Sequence, residues 1–133
     1  MPNFQDSLRG YSFPTHKRDN FVCVYCGLDG KVWPNWLYLS RDHLLPQGDP
    51  NRDNPEYIVT ACLFCNYLHN RTKFPVEGKN RDELISQKKK KLMERRREYR
   101  AFWEQCVVTH GGDRYHPTSG EQERPAGDPQ RRD

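Results

Sequence analysis

Aliphatic residues are scarce in this chain. Ile occurs twice, and Leu, Ile, Val and Phe together make up 25 of 133 residues, or 19%. That lies just under the roughly 20% below which a chain tends not to fold, and after Val108 none of the four occurs. No run approaches the roughly 18 apolar residues of a membrane span. The first residues, Met1-Pro2-Asn3-Phe4-Gln5-Asp6, lack the basic start and apolar stretch of a secretory signal. These absences argue against a membrane protein and a signal-bearing secreted protein, and lead to the expectation of a reducing, cytoplasmic compartment. A large net charge is also missing: the chain carries +4. What is present is 16 aromatic residues. Part of the chain is therefore expected to fold, as one domain with a small core that needs a staple.

The cysteines supply the staple. Cys23 and Cys26 form one Cys-x-x-Cys pair and Cys62 and Cys65 a second, with 35 residues between Cys26 and Cys62. Disulfides are rare in a reducing compartment, and a redox Cys-x-x-Cys needs one pair and not two. Two such pairs read as four thiolates around one tetrahedral Zn²⁺. Gly27 follows the first pair directly and suits a tight turn whose amides face the sulfurs. Structural zinc can add on the order of 10–16 kcal/mol, a large contribution where apolar mass is small. Cys106 stands apart and is expected to be a small buried residue on a helix.

Residues 1–20 read as a polar lead-in with few periodic signals. Phe21–Gly27 is expected to be a short strand running into a knuckle, and Trp36–Ser40 a strand feeding into Arg41-Asp42-His43. Residues 46–56 hold three Pro, one Gly and several Asn and Asp, a loop composition. Tyr57–Ala61 reads as a second strand leading to the second knuckle, and a short helix follows from Cys62 to Asn70, ending before Pro75. Residues 21–80 thus form the expected core. The strongest helix signal covers 81–108: Asn80 is a good N-cap with Glu83 at N3. Ile85, Leu92, Tyr99 and Cys106 recur every seven residues, widened by Phe102, Trp103 and Val107 and broken at Lys88 and Arg95. Gly111-Gly112 ends it. The remaining stretch, 109–133, is expected to be a disordered tail.

Charge is unevenly distributed. Residues 81–108 carry nine Lys or Arg against five Asp or Glu, a net charge equal to that of the whole chain. Such a basic face is the footprint of a polyanion binder, although charge alone fits a solvated helix surface equally well. Lys88, Lys89, Lys90, Lys91, Arg95, Arg96, Arg97 and Arg100 are the candidate phosphate contacts, together with Arg71 and Lys73 just after the short helix. Such contacts give salt-dependent affinity without sequence choice. Tyr25, Trp33, Trp36 and Tyr38 could stack on bases, but a core this poor in aliphatics has a stronger need of them.

Asp42-His43 lies between the two knuckles. Asn66 follows Cys65 immediately, and His69 and Asn70 share its helix face at i+3 and i+4. If zinc joins the knuckles, a carboxylate, one or two imidazoles and one or two amides come together. Carboxylate and amide oxygens are hard ligands suited to Mg²⁺, and an imidazole of ordinary pKa near 6.5 accepts a proton from water at neutral pH. Metal plus base is a kit for hydrolysing a phosphodiester.

The string Cys23-x-x-Cys26-Gly27, Asp42-His43-Leu44-Leu45-Pro46, Ile58-Val59-Thr60-Ala61-Cys62-x-x-Cys65-Asn66 resembles the zinc-containing, Cys₄ branch of the HNH endonucleases, over about residues 18–75. The resemblance implies an α+β fold with a ββα-metal (His-Me finger) core. In that core a hairpin and a helix grip one divalent ion, Mg²⁺ or another, and the Cys₄ zinc is scaffold. It implies DNA as partner and products with 5′-phosphate and 3′-hydroxyl ends. His43 matches the general base, Asp42 a metal ligand, Asn66 the last metal-binding position, and Asn70 a further ligand seen in part of the family. His69 is near enough to replace either amide. The family's central Asn, which orients the base, stands five residues before the third Cys, where this chain has Tyr57. Asn54 is the expected substitute, reaching the same spot through a longer loop; a backbone carbonyl orienting His43, or a weakened site, are the alternatives. A non-catalytic zinc module that binds nucleic acid is the competing function. A two-zinc protein-interaction domain would need eight ligands at a spacing this chain lacks.

Overall fold

A computed structural model describes residues 10–70 and 73–111, the side chains of His69 and Asn70 excepted. The chain divides into two compact units, Met1–Tyr99 and Arg100–Asp133.

In the first unit, strands β1 (Leu39–His43) and β2 (Ile58–Cys62) pair antiparallel, with Leu39 opposite Cys62 and His43 opposite Ile58. Helix α2 (Leu63–Asn70) follows β2 without a break and packs on both strands. The fold is therefore mixed α and β, with one small sheet. All five residues of β2 are buried, which in a two-stranded sheet requires cover on both faces. Helix α1 (Phe13–Arg18) supplies part of it. His16 Nδ1 and Thr60 Oγ1 share a buried hydrogen bond of 2.7 Å, the Asp19 carboxylate accepts from Thr60 N at 2.8 Å, and Arg18 donates to the Pro55 and Ile58 carbonyls. Val24 N adds a bond to Thr60 O at 3.0 Å. These contacts close the outer edge of β2, which would otherwise offer unpaired backbone groups. Within the polar lead-in over 1–20, where the sequence shows few periodic signals, a single 3₁₀ turn (Gly10–Ser12) and α1, with Pro14 in its first turn, are held by partners more than 40 residues away.

The other boundaries shift for local reasons. Phe21–Gly27 is not a strand. Positive φ at Asn20 and Phe21 turns the chain, leaving one isolated bridge between Val22 and Asp29. Trp36–Ser40 begins as a 3₁₀ turn, Asn35–Tyr38, closed by Leu37 N on Pro34 O at 2.9 Å, so β1 starts at Leu39 and runs through Asp42-His43. Gly30 faces the start of β1: a Cβ there would sit 2.4 Å from Leu39 Cδ1 and 2.7 Å from Phe21 O. The position therefore admits no side chain.

Helix α3 (Arg81–Phe102) starts at the expected capping box, Glu83 N on Asn80 Oδ1 at 2.9 Å and Asn80 N on Glu83 Oε1 at 3.4 Å. Its buried seam is Leu84, Lys88 and Leu92, spaced by four, with Ile85 half-buried beside it. The lysine expected to interrupt the apolar stripe is a member of it. Tyr99 meets the Phe64 ring edge-on at 5.1 Å. The core joins Tyr25, Leu44, Val59, Leu68, Leu84 and Leu92 to the cysteines of the two knuckles.

The second unit is described over Arg100–Gly111. The end of α3 passes into a π-helical stretch, Trp103–Val108, with Arg100 Nε bonded to Glu104 Oε1 at 2.9 Å. Phe102, Trp103, Cys106 and Val107 are exposed, so the expected burial of Cys106 and the widened stripe are not found. The heptad pattern continues over these residues, but their apolar side chains are exposed. The expected tail lies outside the described residues from 112 onward. Among the described residues no helix is long and apolar enough to cross a membrane.

Candidate functional site

The four cysteines meet as the spacing requires. Their sulfurs all lie within 4.8 Å of one another, and Cys26 Sγ is 3.7 Å from Cys62 Sγ. A tetrahedral Zn²⁺ with bonds of about 2.3 Å needs sulfur–sulfur edges of about 3.8 Å, so the donor set fits one zinc ion. The two knuckles are built alike: Cys26 N points at Cys23 Sγ (3.5 Å) and Cys65 N at Cys62 Sγ (3.4 Å). Gly27, at φ +81°, turns the first one and donates to Cys23 O at 3.0 Å. Hydrogen bonds from Cys26, then Cys62 and Cys65, push the Cys23 thiol far down, while the Cys23 and Cys26 sulfurs push Cys65 up. Packing four thiols this close makes ionising all of them costly, and a cation among the sulfurs relieves that cost. Arg96 Nη1 lies 4.0 Å from Cys65 Sγ, with its guanidinium 5.3 Å from the Phe64 ring centre.

The knuckles deliver two further groups to one place. Cys65 begins the turn that carries Asn66, and Asn66 Nδ2 donates to Ser40 Oγ (3.0 Å) and Arg41 O (3.1 Å), fixing α2 to β1. Tyr25, inside the first knuckle, donates its hydroxyl to Asp42 Oδ2 at 2.6 Å. Both groups are buried, and burial together with the Asp42 charge drives the tyrosine pKa far above its usual value, so the hydroxyl keeps its proton. Asp42, His43 and Asn66 line a common cleft of about 830 Å³.

His43 is partly buried, and its Nε2 lies 3.4 Å from Asp53 Oδ1. Burial holds its pKa below the ordinary 6.5; the Arg52 charge and then Arg41 act the same way, against the opposing carboxylates of Asp53 and Asp42. The imidazole is therefore neutral at pH 7 and can accept a proton. Asn54 does not hold it. The Asn54 side chain accepts from Glu56 N at 3.0 Å and caps the 3₁₀ turn Pro55–Tyr57, and the neighbouring Asp53 is the side chain facing the ring. An Asn ahead of Pro is a strong turn-capping signal, and that local role prevails here.

Lys88 also departs from expectation. It is 1% exposed, donating Nζ to the carbonyls of His43 (3.1 Å) and Leu44 (2.9 Å) rather than reaching into solvent. Burial lowers its pKa to about 8, with Asp42 opposing. Of the other expected phosphate contacts, Lys89, Lys90 and Arg97 are exposed, and Lys73 is exposed on the rim of the cleft. Lys91, Arg95 and Arg100 pair with Glu94, Glu98 and Glu104, and Arg96 lies against the zinc knuckle. Arg71 and the side chains of His69 and Asn70 lie outside the described residues. Tyr25 is a core residue, whereas Trp33 and Tyr38 are exposed and Trp36 is half-buried. Sequence reasoning missed Asp53, Arg41 and Arg52; their only sequence signal is proximity to His43 in a charged stretch.

Neither a scan against protein-family models nor searches of curated proteins and of solved structures found a match to the chain.

Proposed function

We propose that the chain is a metal-dependent DNA endonuclease of the HNH type, with β1, β2 and α2 as its ββα-metal core. The observation that carries this reading is the convergence of Asp42, His43 and Asn66 on one cleft, assembled by two zinc knuckles. In this reading Asp42 and Asn66 hold one divalent ion, which would polarise the scissile phosphate and stabilise the leaving oxygen. Tyr25 fixes the carboxylate, and the contacts from Asn66 to β1 fix the amide. His43 removes a proton from the attacking water, and its neutral state at pH 7 suits that task. Lys88 immobilises the backbone that carries His43. Lys73 and the exposed Lys89, Lys90 and Arg97 supply phosphate contacts outside the cleft.

Supercoiled plasmid incubated with the purified chain and Mg²⁺ or Mn²⁺ tests the proposal. Nicked or linear product is expected, abolished by EDTA and reduced by several orders of magnitude in His43→Ala, with DNA binding retained. Full activity in that variant would refute the assigned mechanism.

One observation favours the non-catalytic reading: the group beside the His43 Nε2 is a carboxylate, and Asn54 is engaged elsewhere. DNA binding without nicking under every metal would support a zinc-stabilised binding module instead.

A further inference from the structure

Among the described residues, the buried side-chain nitrogens left without a hydrogen-bond partner are Arg41 Nε and Arg52 Nε. Both residues line the same cleft, and they flank His43: Arg41 two positions before it on β1, Arg52 on the loop that follows. A buried donor on a cation is costly to leave unpaired, and two at one cleft call for a common explanation.

Neither guanidinium is spent on the fold. Arg41 lies over the Tyr11 ring, its central carbon 5.7 Å from the ring centre, a contact that steadies the plane without using an N–H. Arg52 has Asp53 at 4.0 Å from Nη1, too long for a hydrogen bond, and Asp53 is almost fully exposed. Of the other two cations lining the cleft, Lys88 is committed to two carbonyls and Lys73 is exposed at the rim. What the two Nε–H groups lack is an acceptor with several oxygens that can meet planar, forked donors. A phosphodiester carries two non-bridging oxygens at that spacing, and the Nε–H and an Nη–H of one guanidinium bind such a pair side by side. Asp53, close to both Arg52 and His43 Nε2, stands where such an anion would sit, as a weak internal substitute.

We infer that Arg41 and Arg52 form a two-sided clamp for the non-bridging oxygens of one phosphodiester group beside His43. The clamp rests on the nuclease reading for its substrate class. A modest rotation of each guanidinium turns its shielded Nε–H onto the phosphate, satisfies both donors, and displaces Asp53 from the imidazole. The clamp selects a phosphodiester by geometry as well as charge, so lysine cannot replace either arginine.

Arginine Nε–H resonances of the full-length, zinc-loaded chain read this directly. A short DNA duplex is titrated in without added divalent ion, and the two signals are assigned by their loss in Arg41→Lys and Arg52→Lys. Both signals are expected to move on binding. Each lysine variant is expected to weaken binding about ten- to a hundredfold. The salt dependence of binding should stay unchanged, because the charge is kept. Signals that stay still while the duplex binds, lysine variants that bind like the wild type, or no duplex binding at all would overturn the clamp. The plasmid assay separates the two claims. Cleavage with unmoved Nε–H signals removes the clamp and leaves the nuclease. Moved signals in a protein that never cleaves leave the clamp and remove the nuclease.

Discussion

The Tyr25 hydroxyl donates to Asp42 Oδ2 at 2.6 Å, and this bond links the first cysteine knuckle to the cleft. Tyr25 stands between Cys23 and Cys26, so its ring is placed by the same turn that places the sulfurs. Removing the hydroxyl leaves a buried carboxylate short of a donor while the ring still fills its space. Tyr25→Phe is therefore expected to retain the fold at a cost of about 1.5–3 kcal/mol. It should also weaken the divalent ion about ten- to a hundredfold, as loss of an outer-shell partner does. Urea unfolding and Mn²⁺ titration measure the two effects separately.

The two cysteine knuckles form a cluster that could hold one zinc ion, in a chain whose aliphatic core is small. The core cluster includes Cys23, Cys62 and Cys65 themselves. One zinc per chain is expected by elemental analysis. Cys62→Ser, or a strong chelator, should abolish cooperative unfolding of the first unit, because a structural zinc ion at such a site supplies folding free energy on the order of 10 kcal/mol. Retention of the near-UV circular dichroism spectrum after complete zinc removal would contradict this.

The parts of this arrangement visible in the sequence are those where chain neighbours are also spatial neighbours. The cysteine spacing gives both knuckles, Asn66 reaches the cleft because it follows Cys65, and Asp42 and His43 travel together at the end of a strand. The capping box at Asn80 and Glu83 is local as well. What sequence reasoning misses depends on distant partners. A short helix at Phe13–Arg18 with proline in its first turn is weak alone; it persists because His16 and Asp19 find Thr60. Lys88 looks like a flaw in an apolar stripe until the end of β1 offers it two carbonyls. Asn54 and Asp53 differ by one position in a loop, and only the path of the loop decides which of them faces His43.

Lys88 gives stability a pH dependence of definite sign. Its pKa falls from 10.5 to about 8 on folding, so between those values the unfolded chain binds more protons than the folded one. Stability from this group therefore rises as pH climbs from about 8 toward 10.5, and the cost of burying the charge is fully present below 8. Each pH unit separating the folded and unfolded pKa is worth about 1.4 kcal/mol, so the swing amounts to a few kcal/mol. Lys88→Met should remove that rise. Chemical denaturation of both proteins between about pH 7 and 10 tests it through the difference in slope, which cancels the tyrosines and thiols common to both.

The same logic applied to His43 predicts the acid limb of cleavage. A general base must be unprotonated, so kcat/KM should fall as pH drops through the His43 pKa. Burial first and Arg52 second hold that pKa below 6.5, so wild-type activity should persist to more acidic pH than an ordinary histidine allows. Arg52→Gln removes the second cause and should move the limb upward. Asp53→Asn removes an opposing charge and should move it further down. Profiles of kcat/KM from about pH 5 to 8 for the three proteins decide the matter. An acid limb at the same pH in all of them would mean that an ionisation other than that of His43 controls the rate.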